Sequence, residues 1–269
     1  MVSKKNTGLT DSLNFGLQRA TGRYIARLDA DDVAYPGRLK CQVDFMESRA
    51  DVGLVGVNFD LIGQFGVKIG FSRLGEMEHD ECLRRLRTMG PSFPHSSWLV
   101  RKEVFHQLGG YDPFFKKVQD YEFLLRCTAQ YKIACLADRL IALRKTESSI
   151  CHDREFTQFR YGFVAWLKHF GRQEASAIAL LTADQLLDIV NRWFEREQMA
   201  QKVTGQTMIT FAMYSLRARR VTDFVVNLFA ALRADPLLMI SRMKIKDVRR
   251  DPYKALKAYV DQFCAGFIH

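Results

Sequence analysis

The chain lacks the features that mark a metal finger, a disulfide scaffold or a membrane span. Its six cysteines (Cys41, Cys82, Cys127, Cys135, Cys151, Cys264) are scattered over 269 residues with no close pair. That spacing argues against a zinc site or a disulfide framework and fits small buried hydrophobes. The six histidines form no H-E-x-x-H or comparable ligand pattern. No run of about 18 uncharged apolar residues occurs. The nearest, 224–240, is broken by Asn227, Arg233, Asp235 and Pro236. The first eight residues are polar and have no apolar core of the signal-peptide kind. Internal repeats and low-complexity tracts are absent as well. Apolar residues make up 48% and charged residues 26%, ordinary values for a globular chain. The expectation is a soluble or peripheral protein of the cytoplasm, long enough for one large or two modest domains.

Charge is present in excess, and unevenly. The formal net charge is +10. Residues 217–257 hold eleven Lys/Arg against four Asp/Glu, a local net of +7. One reading is a solvated helix face. The other is attraction to anionic lipid headgroups or a phosphorylated acceptor, which adds an anionic membrane surface on the inner face as a partner. Nucleic acid is not expected, because no recognised motif accompanies the charge.

The most informative stretch is Gly22-Arg23-Tyr24-Ile25-Ala26-Arg27-Leu28-Asp29-Ala30-Asp31-Asp32, closed by Pro36. Residues 24–28 alternate and are rich in β-formers, which predicts a strand. Three carboxylates follow within four residues. Like charges so close are costly unless something positive sits among them. Oxygen ligands favour a hard cation, Mg²⁺ or Mn²⁺, of the kind that also binds phosphates. The alternative is a solvated acidic turn ahead of the helix that begins near Pro36.

The surrounding order of residues is specific. Asn6-Thr7-Gly8-Leu9, Leu13-Asn14 and Ala20-Thr21-Gly22 precede the strand. Asp29-Ala30-Asp31-Asp32, Pro36-Gly37-Arg38-Leu39 and Gln42-Val43 follow it. This run, from residue 6 to about 56, resembles the middle of a family-2 glycosyltransferase of the GT-A type, whose DxD metal motif falls on Asp29 and Asp31. A second block extends the resemblance to about Arg144. It implies an α/β fold with a GT-A, Rossmann-like mixed sheet. It also implies that two earlier βα units, about 60–80 residues that carry the nucleotide base pocket, are missing from the N-terminal side.

The resemblance assigns roles as well. It implies inverting transfer of a sugar from a nucleotide-diphosphate donor to a glycan or lipid-linked acceptor. Asp29 and Asp31 hold the metal and the donor, and Asp32 orients them. Asn6 and Asn14 match donor-pocket positions; read locally they are turn and helix-surface polarity. Asp120, in Val118-Gln119-Asp120-Tyr121-Glu122, matches the general base, although Gln119 stands where the family places a first acid. Read locally, Asp120 is an N-cap. His95 lies on a loop that faces the acceptor in the family, or is simply exposed. Arg144 is kept, but Thr146 stands where a metal-binding His is expected, with His152 as the substitute. A catalytically impaired homologue acting as a scaffold subunit is the competing function.

Local patterns complete the reading. Helices are expected at 10–20, 36–48, 79–89 and 102–108. Strands are expected at 52–62, 67–71, 98–100, 132–136 and 140–143. Leu9, Leu13, Gly16, Leu17 and Ala20 are assigned to the inner face of the first helix, and Leu39, Val43, Phe45 and Met46 to that of the second. The catalytic domain is expected to cover 1–150 and a helical region 151–269. There Phe156, Phe159, Phe163, Trp166 and Phe170, and then Leu186, Ile189 and Val190, recur at helical spacing. A second helix of that region should start at Thr182-Ala183-Asp184.

Overall fold

In a computed structural model, which describes residues 3–87, 93–145, 157–171 and 181–196, the centre is β3 (Val52–Ile62). Nine of its eleven residues are buried, the pattern of a strand covered on both faces. The other elements are α1 (Leu9–Arg19), β1 (Tyr24–Ala26), β2 (Val33–Ala34), α2 (Arg38–Ser48), β4 (Lys68–Phe71), α3 (His79–Arg87), β5 (Leu99–Arg101), α4 (Lys102–Leu108), α5 (Gln119–Thr128), β6 (Lys132–Arg144), α6 (Thr157–Trp166) and α7 (Ala183–Arg196). A 3₁₀ turn spans His95–Ser97, and a π turn, Leu167–Gly171, continues α6.

The sheet runs β1-β5-β3-β6-β2, and β4 pairs with the far end of β3. Only β3 and β6 are parallel; the remaining pairs are antiparallel. The mixed α/β sheet that the resemblance implies is therefore present. Two compact units divide the chain at 173/174, and α6 falls within the first.

The expected pair of short strands at 132–136 and 140–143 is one strand, β6, of thirteen residues. Its register with β3 shifts between Val57↔Leu136 and Asn58↔Arg139. Asn58 fills the irregularity: Nδ2 donates to the Leu136 and Gly75 carbonyls at 2.8 Å each, and Oδ1 accepts from Ser72 Oγ at 2.6 Å. A buried amide with all these partners tolerates the bulge that sequence periodicity reads as a break.

Met46, Val52, Val55, Val57, Leu99, Ala134, Leu136 and Ile141 form the apolar core against the sheet. A second, aromatic cluster joins Trp98, Phe105, Tyr111 and Phe123, with Phe105 and Phe123 stacked 4.6 Å apart. On α2 the predicted inner face holds for Met46, which is buried, and for Val43 and Phe45, which pack partly buried against the core, but not for Leu39. The buried residues of α2 are Arg38, Gln42 and Met46, while Leu39 is exposed. Gln42 Nε2 donates to the Val55 and Ser97 carbonyls, and Arg38 Nη2 donates to the Arg27 carbonyl at 2.7 Å. Those orphan acceptors lie where a helix of the expected polarity would have put leucine, so the polar face turns inward to satisfy them. Arg38 is deeply placed, and burial brings its guanidinium down to about 10. In α1 only Thr10 is fully buried, and Leu9 and Gly16 are exposed.

Phe163, Trp166 and Phe170 are buried as their spacing predicts, with Trp166 Nε1 donating to the Arg87 carbonyl. Within the second unit, Leu186, Ile189 and Val190 form the buried stripe of α7. Thr182 starts it with a reciprocal box: Gln185 N donates to Thr182 Oγ1, and Thr182 N donates to Gln185 Oε1. Thr146, His152, Phe156 and the basic segment 217–257 lie outside the described residues.

Candidate functional site

The acidic loop follows β1, which is shorter than predicted, and is held from two sides. On one side stands the 3₁₀ turn. Asp29 N donates to Ser96 Oγ at 3.1 Å, and that hydroxyl lies 2.7 Å from Asp29 Oδ2 and 2.5 Å from Asp32 Oδ2. On the other side stands the end of β6. Arg144 N donates to Asp32 Oδ1 at 2.8 Å, and Arg144 Nε donates to the Asp31 carbonyl at 2.9 Å. The β2–β6 pair, Val33↔Ala142 and Ala34↔Ile141, sets the loop's exit.

Arg27 and Asp29 are two apart on a strand-like run, so they project to one side. Arg27 Nη2 lies 2.5 Å from Asp29 Oδ1. Burial works to raise the Asp29 carboxyl, but the Arg27 and Ser96 hydrogen bonds outweigh it and hold it below the usual range. Asp32 goes the other way. Burial raises it, the nearby Asp29 and Asp31 charges add, and the Ser96 and Arg144 hydrogen bonds only partly offset this. Asp31 is exposed, and among the described residues its carboxylate has no hydrogen-bond partner.

The donor set suits a hard divalent cation. One hydroxyl proton on Ser96 faces two carboxylate oxygens, so it satisfies only one at a time. Of the three acidic side chains in this short loop, Asp31 is open to solvent. Oxygen donors with unfilled lone pairs fit Mg²⁺ or Mn²⁺. Among the described residues no group of three or more His, Cys, Asp or Glu converges to hold a metal alone. Asp29 and Asp31 would therefore contribute part of a shell.

His95 neighbours Ser96 and packs edge-on against Trp98, with ring centroids 4.5 Å apart. Its Nε2 lies 2.8 Å from Tyr111 Oη. It is half-buried rather than the exposed loop residue its local sequence allows. Burial takes it down to about 4; Asp120 and Asp29 oppose the shift and Arg27 adds to it. The imidazole is neutral near pH 7, within electrostatic range of carboxylates from both ends of the chain's chemistry. Tyr111 feels the same Arg27, Asp120 and Asp29 charges, and burial keeps its hydroxyl protonated.

Asp120 is not an N-cap. The cap position of α5 is Val118, and Asp120 is the second helical residue, its Oδ1 accepting from Tyr121 N at 2.8 Å. Val118 is left-handed (φ 53, ψ 27), which is costly for a β-branched residue and unpredicted by its sequence. The start of α5 is pinned from behind: Glu122 pairs with Arg126 at 2.6 Å, and Arg126 also donates to the Leu108 and Gly110 carbonyls. Asn14 is committed elsewhere, Nδ2 donating to the Tyr111 carbonyl at 2.8 Å and Oδ1 accepting from Tyr111 N at 2.9 Å. Asn6 is exposed, and its Oδ1 accepts from Gly8 N in a local turn.

Asp32 feels the Asp29 and Asp31 charges, and His95 feels those of Asp29 and Asp120, while Asn6 and Asn14 make turn and scaffold contacts. Sequence reasoning missed Arg27, Ser96 and Tyr111. The period-two spacing of Arg27 to Asp29 was a usable signal, whereas nothing in the sequence points to Ser96.

Residues 1–109 match the family described as "Glycosyl transferase family 2". The amylovoran biosynthesis glycosyltransferase AmsE of Erwinia amylovora is 32% identical over 52% of this chain and 52% of its own length. The putative glycosyltransferase EpsE of Bacillus subtilis is 32% identical over 46% of this chain and 44% of its own. An uncharacterized glycosyltransferase of Rickettsia prowazekii, RP339, is 24% identical over 86% of this chain and 78% of its own. The chain spans about half the length of the first two relatives.

Proposed function

We infer, from the premise that residues 1–109 belong to glycosyl transferase family 2, that this chain moves a sugar from a nucleotide-diphosphate donor to a hydroxyl of a glycan or lipid-linked acceptor, with inversion. The observation that carries the reading is the contact at Ser96. It ties Asp29 and Asp32 of the acidic loop to the turn that presents His95, whose ring feels both Asp29 and Asp120.

In this reading Asp29 and Asp31 would hold a Mg²⁺ or Mn²⁺ ion, which would supply Lewis-acid neutralisation of the leaving diphosphate. Asp32, fixed by Ser96 and Arg144, orients the loop. Asp120 accepts the proton of the attacking hydroxyl, a role worth about 10²–10⁴-fold in rate. His95 is assigned to the acceptor side. Asn6 and Asn14 are assigned to the donor side. The basic segment 217–257 supports a peripheral position on the inner membrane face.

The test pairs turnover with donor binding. Asp120→Asn should abolish transfer while calorimetry still detects nucleotide-sugar binding that needs Mn²⁺. Retained turnover in that variant removes Asp120 from the mechanism. Binding indifferent to chelator removes the metal.

A further inference from the structure

The β3–β4 hairpin carries an apolar surface that the transfer chemistry does not use. Phe65 is 90% exposed, Val67 67%, Ile69 57% and Phe71 44%. Alternation along β4 sets Val67, Ile69 and Phe71 on one face, with Phe65 at the tip. The turn is well made: Gly63 N donates to the Val67 carbonyl, Gly66 N to the Gly63 carbonyl, and Gly66 sits at φ 79, where glycine is favoured. Four large exposed apolar side chains along one hairpin, two of them on its edge strand, form an apolar surface that soluble chains normally avoid.

Cations surround it. Arg139, Arg73 and Lys68 lie 4.7, 5.5 and 5.7 Å from the Phe71 ring centroid. Asp60 pairs with Lys68 and Arg139 and is almost fully buried, so the exposed rim is basic. Aromatic and aliphatic tips behind a basic collar match the headgroup boundary of an anionic bilayer: the apolar residues enter, and the cations stay with the phosphates.

The hairpin is also wired to the acidic loop. Arg144 Nη1 donates to the Gly63 and Gln64 carbonyls at 3.1 and 2.9 Å, while its Nε donates to Asp31. Whatever fixes the turn fixes one side of Asp31.

We propose that the β3–β4 hairpin is a membrane-docking element, inserting Phe65, Val67, Ile69 and Phe71 into an anionic lipid surface and holding the acidic loop beside it. This deepens the membrane-surface reading above and rests on it for the choice of partner; it does not depend on which sugar moves.

The experiment is vesicle co-sedimentation of the full chain, with phosphatidylcholine vesicles containing about 30% phosphatidylglycerol or none. The variants are Phe65→Ser/Ile69→Ser, which leaves charge unchanged, and Lys244→Gln/Lys246→Gln/Arg249→Gln/Arg250→Gln in the basic segment. Circular dichroism melting confirms that each folds. Wild type should bind the anionic vesicles, and the hairpin variant should bind at least about tenfold more weakly at equal charge. Hairpin-variant binding equal to wild type, with loss only in the basic-segment variant, overturns the hairpin and leaves the membrane reading intact. Absence of wild-type binding to either vesicle overturns both. A hairpin variant that changes only the sedimentation-velocity mass shows instead that the patch docks a second copy of the chain, and it overturns the proposal.

Discussion

Ser96 and Asp29 hold each other by two contacts across 67 positions of sequence, the Asp29 amide donating to Ser96 Oγ at 3.1 Å and that hydroxyl lying 2.7 Å from Asp29 Oδ2. The pair converts an acidic turn into a fixed one. Ser96→Ala should raise the Mn²⁺ concentration needed for donor binding by about 10–100-fold, as loss of a group supporting metal ligands does, while Ser96→Thr should restore it. Calorimetric titration with metal reads both.

The His95 ring predicts a pH dependence. Its folded value is near 4 against the usual 6.5, so the unfolded chain binds the extra proton first. Stability contributed by neutral His95 is present above about 6.5 and is lost as pH falls toward 4. Urea denaturation of wild type should show this decline between pH 7 and 4.5. His95→Gln, which cannot charge, should flatten it. An unchanged slope in the variant assigns the effect to other groups.

How much of this was legible depended on the residue. β3 was legible from end to end because its run is apolar enough to be covered on both faces. The acidic loop was legible because carboxylates at that spacing need a chemical reason. The polar part of the inner face of α2 was not, because Arg38 and Gln42 are buried for acceptors on β3, Ser97 and Arg27 that no periodicity reveals. Asp120 lies two positions inside the helix rather than at its cap, because a left-handed valine at 118, which has no local signal, takes the cap position. The link from Ser96 to the loop is purely tertiary.

Gly56 tests the packing of the sheet centre. A Cβ built there would fall 2.3 Å from Phe93 Cδ2. Gly56→Ala should cost about 1–3 kcal/mol by overpacking, read as a lowered denaturation midpoint. Adding Phe93→Leu should recover part of it.

Asn14 separates scaffold from donor pocket. Both ends of its amide are engaged by the Tyr111 backbone. Asn14→Ala should lower stability by about 1–2 kcal/mol. If Asn14 also touches the donor, the nucleotide-sugar Kd rises in the same variant. If it only holds Tyr111, Kd stays within error once the folded fraction is equalised.

Because β6 runs as one strand from Lys132 to Arg144 across the bulge filled by Asn58, the pairing that seats Ala134 and Leu136 beside β3 also bears on where Arg144 emerges. Sliding that pairing by one step would carry the arginine about 3.3 Å along the strand axis, far enough to release Asp32 and the hairpin turn together. Substitutions in the interior near Leu136, remote from any reacting atom, should therefore surface as altered metal dependence before they surface as unfolding.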